Sequence, residues 1–279
     1  MLAGFSLGAQ TPSPASSCTQ IGRPLFLPAV PEASGIAQAG GVLWTHNDSD
    51  APVLFRLDAS GRPTAVIVAG AEVRDWEDLA IARTLEGTDF LYIADIGDNR
   101  ASRERITIYE VPVPAPGSTT TKPANAYHAR YPDGPHDAEA LLIVPGSAQL
   151  ELSPATPQTF IITKEVPQRV YRLQTALNPG ETGGLALFRT LKEKVRITGA
   201  AASPDGRWIA LRSNRTLFLY KTDDFLKDGS PIRVDLTRFK EPQGEGVAFG
   251  SGGDLYLVSE GGGGDASGML TRIHCAFVR

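Results

Sequence analysis

The sequence predicts an all-β fold assembled from copies of one four-stranded unit. Short runs rich in β-branched and aromatic residues alternate with polar, turn-rich segments along most of the chain. The stretch from Asp75 to Val111 contains three such runs, and similar stretches recur at a spacing of ~40 to 60 residues. The 29 glycines and 21 prolines, together with the lack of a long apolar run of helical period, favour all-β over α/β architecture.

Five copies of the unit can be followed in chain order. They cover residues 32–68, 75–130, 137–189, 197–236 and 244–273. The third copy carries an insertion in its first hairpin, from Pro145 to Gln158. The first four copies each supply four strand-like runs, whereas the fifth ends after three. The last copy therefore needs a strand from elsewhere in the chain.

A repeat with four strands per unit is the sequence signature of a β-propeller. We therefore predict a five-bladed β-propeller with four antiparallel strands per blade. The run Pro24-Leu-Phe-Leu27 has no blade of its own, so we expect it to form the outermost strand of the last blade. That strand closes the ring and covers an exposed sheet edge. A β-sandwich is the alternative, but it would not explain why the polar loops keep the same phase.

The two ends of the chain carry the only two cysteines, Cys18 and Cys275. Residues 1–20 are predicted to be a leader remnant or linker, although a basic n-region is missing, and residues 21–279 a single propeller domain. The placement of the cysteines suggests a disulfide that ties the termini together in an oxidising compartment. This predicts a secreted protein, periplasmic or extracellular; in a cytosolic protein the two residues would be free thiols.

Composition excludes two classes of partner. The net charge of −4 and the pI near 5.6 provide no basic footprint for nucleic acid. No apolar stretch approaches the ~20 residues that span a bilayer. We expect a monomer whose partner is a small molecule or an anionic ligand.

Acidic residues recur where the innermost strands should begin. Because consecutive strands alternate in direction, these starts lie on the same face as the ends of the second strands. The candidate metal ligands are Glu32, Glu77, Glu139 and Glu245, with Asp75, Asp137, Asp95 and Asn47 as secondary candidates. Crowded carboxylates raise one another's pKa unless a cation neutralises them, and Ca²⁺ prefers such oxygen ligands. The alternative neutralisers are basic side chains on the same face: Arg100, Lys164, Arg212 and Arg215.

Two further features of this face have a functional and a structural interpretation. The loop from Asp95 to Arg100 is rich in oxygen ligands, but it lacks the EF-hand spacing and is better explained as an Asx-rich turn. His46 could act as a general base oriented by Asp48 or Glu77. A loop histidine that caps a strand is the structural alternative.

Several phrases resemble those of known bacterial proteins. They include Glu32-Ala-Ser-Gly-Ile-Ala, Asp75-Trp-Glu-Asp-Leu-Ala, Leu91-Tyr-Ile-Ala-Asp and Gly244-Glu-Gly-Val-Ala. The chain resembles secreted propellers related to the SdiA-regulated family and, more distantly, regucalcin-type lactonases and phytase-associated esterase-like propellers. The resemblance covers residues 30–275 and implies calcium at the propeller centre. Lactonase-like members have six blades, so no active site is transferred to these five repeats.

The sequence therefore predicts a binding or sensing module with an acidic, calcium-binding central site. The alternative is a metal-dependent hydrolase of a phosphate ester or lactone. In that case the basic side chains Arg100, Lys164, Arg212 and Arg215 would hold the substrate anion. A third possibility is a structural platform for a protein partner.

Overall fold

The computed structural model describes residues 18–84, 86–146, 157–175, 178–262 and 266–278. Within these ranges the chain is almost entirely β-structure, so the predicted all-β class is confirmed. The helical segments there are short, namely α1 (Thr222–Leu226) and a 3-10 turn (Thr237–Phe239). The expected leader at residues 1–17, and the centre of the predicted insertion at residues 147–156, lie outside the described residues.

Two short strands precede a series of antiparallel meanders. These strands are β1 (Thr19–Gln20) and β2 (Leu25–Leu27). The first meander contains β3 (Ala33–Ala39), β4 (Val42–Asn47), β5 (Val53–Leu57) and β6 (Pro63–Ile67). The second contains β7 (Trp76–Arg83), β8 (Asp89–Asp95), β9 (Ile106–Pro112) and β10 (Asn125–Arg130). The third contains β11 (Ala138–Val144), β12 (Gln158–Thr163), β13 (Arg169–Leu173) and β14 (Thr182–Thr190).

Two more meanders complete the chain and match the last two predicted repeats. The fourth contains β15 (Gly199–Ala202), β16 (Trp208–Arg212), β17 (Thr216–Lys221) and β18 (Ile232–Asp235). The fifth contains β19 (Gln243–Phe249), β20 (Asp254–Glu260) and β21 (Gly268–His274). In every meander, consecutive strands pair in antiparallel fashion.

The first strands of the meanders surround a common axis. They contact one another in cyclic order: β3 with β7, β7 with β11, β11 with β15, β15 with β19, and β19 with β3. This approach requires a residue without a side chain, because a Cβ on Gly246 would lie 2.5 Å from the Ser34 carbonyl oxygen and 2.9 Å from the Ile36 nitrogen. Glycine at position 246 therefore permits β19 to pack directly against β3.

Strand pairing organises the meanders into four sheets rather than five separate ones. One sheet has five strands, one has eight and two have four. The eight-stranded sheet arises because β10 pairs in parallel with β14, with His128 opposite Thr182. The number of sheets therefore differs from the predicted number of blades, and the count of five blades stays a prediction.

The N-terminal strands complete the fifth meander. As predicted for this segment, β2 pairs antiparallel with β21, with Leu25 opposite Leu270. Strand β1 extends the same edge and places Thr19 opposite His274. The predicted disulfide between Cys18 and Cys275 is confirmed, with a Cα–Cα distance of 4.2 Å and both residues fully buried. The two ends of the fold are thus joined covalently.

Hydrophobic clusters fill the spaces between neighbouring meanders. One cluster joins Trp44 of the first meander to Trp76 and Tyr109 of the second. Another joins Trp208 of the fourth meander to Leu257 of the fifth. Burial of a large apolar side chain stabilises a fold by roughly 1.5–3 kcal/mol, so these clusters hold adjacent repeats together. Trp44, Trp76 and Trp208 thus pack between repeats.

Candidate metal centre at the channel mouth

A β-bulge at the start of the innermost strands sets the direction of the acidic side chains. The pairing register shifts between Trp76 and Asp78, between Ala138 and Ala140, and between Gly244 and Val247. Glu77, Glu139 and Glu245 occupy these three bulges, and all three are buried. A bulge turns a side chain away from regular alternation. Because the three bulges stand at equivalent places in the innermost strands, the three glutamates lie at the same end of these strands.

The first meander has the same bulge but a different residue in it. Its register shifts between Ala33 and Ile36, so Ser34 stands where the second, third and fifth meanders carry glutamate. Glu32 lies one step outside the bulge. Its carboxylate accepts a hydrogen bond of 2.6 Å from the Ser49 hydroxyl, and its backbone N–H donates to the Asn47 side chain at 3.2 Å. The structure therefore separates Glu32 from the bulge glutamates.

Three carboxylates come close enough together to ligate one ion. Oxygen atoms of Asp75, Glu77 and Asp137 all lie within 4.8 Å of one another. We call these three residues the acidic triad. The sequence predicted Glu32, Glu77, Glu139 and Glu245 as ligands, with Asp75 and Asp137 as secondary candidates, and the structure brings Glu77 together with these two secondary candidates.

The loop after β8 covers the acidic triad. A Cβ on Gly97 would lie 2.3 Å from the Glu77 Oε1 atom and 2.4 Å from the Asp75 Oδ2 atom, so only glycine fits there without displacing the carboxylates. The Gly97 N–H donates to the Asp75 carbonyl oxygen at 3.2 Å. The Asp98 N–H donates to the Asp137 carboxylate at 2.7 Å. Backbone donors thus fix two members of the triad.

Lys164 is the cationic side chain that reaches this cluster. Its ammonium group forms an ion pair with Glu139 and lies 3.5 Å from an oxygen of Asp137 and 3.3 Å from the Asn99 side-chain oxygen. Burial by itself lowers the pKa of Lys164, but the hydrogen bond and charge of Glu139 outweigh it and the net pKa is raised. Burial, followed by the charges of Glu139 and Asp75, raises the pKa of Glu77 well above its usual range. One ammonium therefore leaves the triad incompletely neutralised.

Further carboxylates line the other side of the mouth. The Gln243 side-chain amide donates to Glu245 at 2.9 Å and to Glu260 at 2.7 Å. Burial raises the pKa of Glu245 to about 8, with the charges of Glu139 and Glu260 adding to the effect. Burial and the neighbouring Glu32 raise the pKa of Asp48 to about 7. We define the acidic mouth as Glu32, Asp48, Asp75, Glu77, Asp137, Glu139, Glu245 and Glu260.

The other predicted cations do not enter the acidic mouth. Arg212 is fully buried, where it donates 2.6 Å hydrogen bonds to the carbonyl oxygens of Gly246 and Val258 and pairs with Glu241 at 2.7 Å. Its interpretation as an anion contact is therefore wrong, because its charge is satisfied in the interior. Arg100 and Arg215 are exposed on loops.

Asp95 is committed to an ion pair that the sequence did not reveal. Its carboxylate accepts a 2.7 Å hydrogen bond from the buried Arg103 guanidinium and a 3.1 Å hydrogen bond from the Asp75 N–H. Asp98 accepts the N–H groups of Ser102 and Arg103, each at 2.6 Å. The loop after β8 is thus stabilised by its own side chains, in line with the Asx-rich turn. Asp95 positions Asp75 rather than serving as a free ligand.

His46 lies in the interior of the fold. It is fully buried, its Nδ1 atom lies 2.9 Å from the Asn47 carbonyl oxygen, and its ring packs edge-on against Trp76 at 5.6 Å. Burial lowers its pKa to about 4. These contacts support the structural interpretation of His46 and argue against a role as general base at the mouth.

The sequence analysis did not single out Asp78, a fully buried residue that accepts hydrogen bonds from three innermost strands, β7, β11 and β15. Its carboxylate accepts backbone N–H groups from Leu79 at 2.8 Å, Leu141 at 2.9 Å and Ala200 at 3.1 Å. Burial nevertheless raises its pKa to about 7. The only available signal was a third acidic residue in Asp75-Trp-Glu-Asp78, because its hydrogen-bond partners Leu141 and Ala200 come from other repeats.

Comparisons with known proteins identify the fold but no family. No protein-family model matches the chain, and no curated protein matches it. Among solved structures, the PQQ-bound aldose sugar dehydrogenase of Streptomyces coelicolor is 12% identical, with a TM-score of 0.52, and covers 92% of this chain and 98% of its own. An arabinobiose complex of Penicillium chrysogenum α-L-arabinanase gives 12% identity, a TM-score of 0.50 and the same two coverages.

A gluconolactonase from Xanthomonas campestris is also similar, with 14% identity, a TM-score of 0.46, and coverage of 86% of this chain and 72% of that one. Likenesses at such low identity concern the fold alone, and the SdiA-regulated resemblance stays a prediction. The likenesses to solved structures show an all-β, propeller-like architecture.

In the described part of the chain, no helix has the length and apolar character needed to cross a membrane.

Proposed function

We propose that the chain is a five-bladed β-propeller that binds a divalent cation, Ca²⁺, at its acidic mouth. The blade count is supported by the cyclic contacts of β3, β7, β11, β15 and β19. On this interpretation the parallel pairing of β10 with β14 joins the outer edges of two blades. The single observation that carries the metal proposal is the acidic triad, whose oxygens lie within 4.8 Å of one another.

The donor set of the triad fits a hard cation. Ca²⁺ binds oxygen at about 2.3–2.6 Å, so two ligands of one ion can lie up to roughly 5 Å apart. Asp75, Glu77 and Asp137 meet that limit and supply only oxygen. The close approach of Gly97 keeps their carboxylates facing one another. Water and carbonyl oxygens would complete the six to eight ligands that Ca²⁺ takes.

The charge balance also favours a cation. The triad and the adjacent Glu139 carry up to four negative charges, and Lys164 supplies one positive charge beside them. The raised pKa of Glu77 reflects this excess, because burial and neighbouring acids outweigh the attraction of Lys164. A bound Ca²⁺ would remove most of the remaining repulsion and allow Glu77 to ionise.

We further propose that the site serves ligand binding or sensing by a secreted monomer. The disulfide between Cys18 and Cys275 supports an oxidising compartment. A metal-dependent hydrolase of a phosphate ester or lactone is the second candidate, because Lys164 stands beside the triad, partly exposed, where it could hold an anionic substrate. The burial of His46 removes the base expected for that reaction, so binding is proposed first.

Calorimetric titration of the protein with Ca²⁺ tests this proposal. The protein is first dialysed against a chelator, and Mg²⁺ is titrated in parallel. We expect one Ca²⁺ per chain with preference over Mg²⁺, since the spacing suits the larger ion. The absence of Ca²⁺ binding at millimolar concentration, together with no metal in elemental analysis of the untreated protein, would contradict the proposal. Calcium-dependent turnover of a lactone or aryl phosphate would instead favour the hydrolase.

A further inference from the structure

We infer that a second site, distinct from the acidic mouth, binds a tetrahedral oxyanion such as the phosphate or sulfate group of a small molecule. It is formed by arginines that the sequence analysis did not assign to any role. The four residues are Arg74, Arg103, Arg105 and Arg130. We call this group the arginine cleft.

Two cavities with common walls define the arginine cleft. One has a volume of about 350 Å³ and the other about 360 Å³, and both are lined by Arg103, Glu104 and Arg130. The first is also bordered by Arg74 and Arg105, and the second by Tyr131. Either volume is ample for a phosphate group with part of the molecule that carries it. The cleft is therefore large enough for a small ligand.

Strand register brings two of the arginines together. Strands β9 and β10 pair with Ile106 opposite Ala129, so Arg105, which directly precedes β9, and Arg130, which ends β10, are the next residues beyond that pair. Like charges that face each other across a strand pair destabilise a sheet. Both side chains are exposed, and a bound anion would convert this repulsion into two attractive contacts. This end of the β9–β10 pair therefore favours an anionic ligand.

Arg103 supplies a fixed charge at the base of the cleft. Its Nη1 atom donates to Asp95 at 2.7 Å and to the Gly97 carbonyl oxygen at 2.8 Å, which locks the side chain in place. The residue is 6% exposed, and its buried Nε atom has no hydrogen-bond partner among the described residues. Arg103 thus contributes an immobilised side chain to the wall that both cavities share.

The charge of the cleft favours a multivalent anion. Four arginines line the cleft, and Asp95 forms an ion pair with one of them, Arg103. Glu104 is a weak partner for Arg130, since their closest atoms are 3.9 Å apart and the Glu104 side chain is 88% exposed. Planar guanidinium groups bind phosphate and sulfate through paired N–H donors. Several guanidinium groups around one cavity therefore match the three or more oxygens of a tetrahedral oxyanion.

Titration with inorganic phosphate tests the inference, with sulfate in parallel and a chelator present so that no metal can bridge the anion to the acidic mouth. We expect saturable binding, and we expect the double variant Arg105→Ala/Arg130→Ala to lose roughly tenfold or more in affinity, since hydrogen bonds to charged groups are lost. Glu104→Gln should bind more tightly. The matched control is Arg62→Ala, which removes an exposed arginine from a turn of the first meander.

His128 provides a spectroscopic reading of the same event. Burial and then the charge of Arg105 lower its pKa, so an anion on Arg105 should raise the pKa of His128 in NMR titrations. Titration with glucose 6-phosphate, with glucose as the control, shows whether the cleft accepts the phosphate group of an ester. The affinity for glucose 6-phosphate relative to that for inorganic phosphate shows whether the ester or the free ion is preferred. Phosphate binding that is undetectable, or that is unchanged in a folded Arg105→Ala/Arg130→Ala variant, would overturn the inference.

Discussion

Replacing Glu77 with glutamine tests the acidic triad most directly. The substitution keeps the size of the side chain and removes a carboxyl group whose ionisation is opposed by burial and by neighbouring acids, with Asp75 and Asp137 within 4.8 Å. Without a cation that carboxyl group is either kept protonated or ionised against its neighbours, and glutamine avoids both costs. Without a cation, Glu77→Gln should therefore stabilise the protein. With Ca²⁺ present, the same variant should lose much of the stabilisation that the ion supplies.

The expected size follows from Coulomb's law. Two unit charges 4.8 Å apart repel by about 3.5 kcal/mol at an effective dielectric constant of about 20. Asp75 and Asp137 are partly exposed, and Lys164 offsets part of the repulsion, so we expect a net gain of about 1–2 kcal/mol in the free energy of unfolding. For a chain of this length that gain raises Tm by roughly 2–8 °C.

Thermal unfolding with excess chelator, and again with Ca²⁺ in excess, measures both effects. In the wild-type protein, Ca²⁺ at about 100 times its Kd should add about 2.7 kcal/mol of stability, because the ion binds the folded state. In Glu77→Gln this increment should fall substantially. The control is Glu86→Gln, which changes the same type of residue at an exposed position.

The opposite pattern would refute this account of the site. If Glu77→Gln lowered Tm equally with and without Ca²⁺, Glu77 would be a partner in a structural ion pair with Lys164, and its loss would leave buried charge uncompensated. If neither the variant nor Ca²⁺ changed Tm, the triad would hold no cation.

Three other measurements address the fold. Cys18→Ala/Cys275→Ala should lower the free energy of unfolding by at most about 5 kcal/mol, because the disulfide closes a loop of 257 positions and so restricts the unfolded chain strongly. An unchanged free energy of unfolding would mean that the pairing of β1 and β2 with β21 is sufficient to join the two ends of the fold. Asp78→Asn should cost about 2–4 kcal/mol, since its single acceptor oxygen must leave either the Leu79 N–H or the N–H groups of Leu141 and Ala200 facing an amide nitrogen that cannot accept. The exposed Asp50→Asn control should have little effect. In chelator, Tm should fall as the pH rises from about 5 to 8. The pKa values of Glu245, about 8, and of Asp78, about 7, are higher in the folded protein than in the unfolded chain. The stability that these two groups contribute is therefore complete below about pH 4 and is lost as the pH rises through their folded pKa values. A Tm that stays constant over this pH range would contradict the prediction.

The candidate site was predictable only in part. Recurrence of an acid at the start of the innermost strand in four of the five repeats located Glu77, Glu139 and Glu245 at one end of these strands, because strand direction is implied by the order of strands. The bulges that aim these side chains were not predictable, since an extra residue in a strand is defined only against its partner. The same ambiguity hid the grouping of Asp75 and Asp137 with Glu77.

The expected position of Arg212 at the mouth was wrong for a similar reason. Arg212 ends the second strand of its repeat and Lys164 directly follows the second strand of another. Sequence position could not tell that Arg212 pairs with Glu241 in the interior while Lys164 reaches Glu139 at the mouth. Arg103, which fixes Asp95, lies in a loop whose course depends on the hydrogen bonds of Asp98. Arg105 and Arg130 become neighbours only through the pairing of β9 with β10.

The sequence by itself determined the features that depend on local pattern and on order along the chain. These are the all-β class, the repeated meander, the closure of the last repeat by residues near Leu25, and the Cys18–Cys275 pair. Tertiary structure decided the partners of the charged groups, because packing between repeats brings together groups that are 60 residues or more apart in the chain. The Asp78 carboxylate and the Leu141 backbone N–H are one such pair. A strand's alternation fixes which side of the sheet a side chain takes, whereas its partner is fixed by the repeat packed against it.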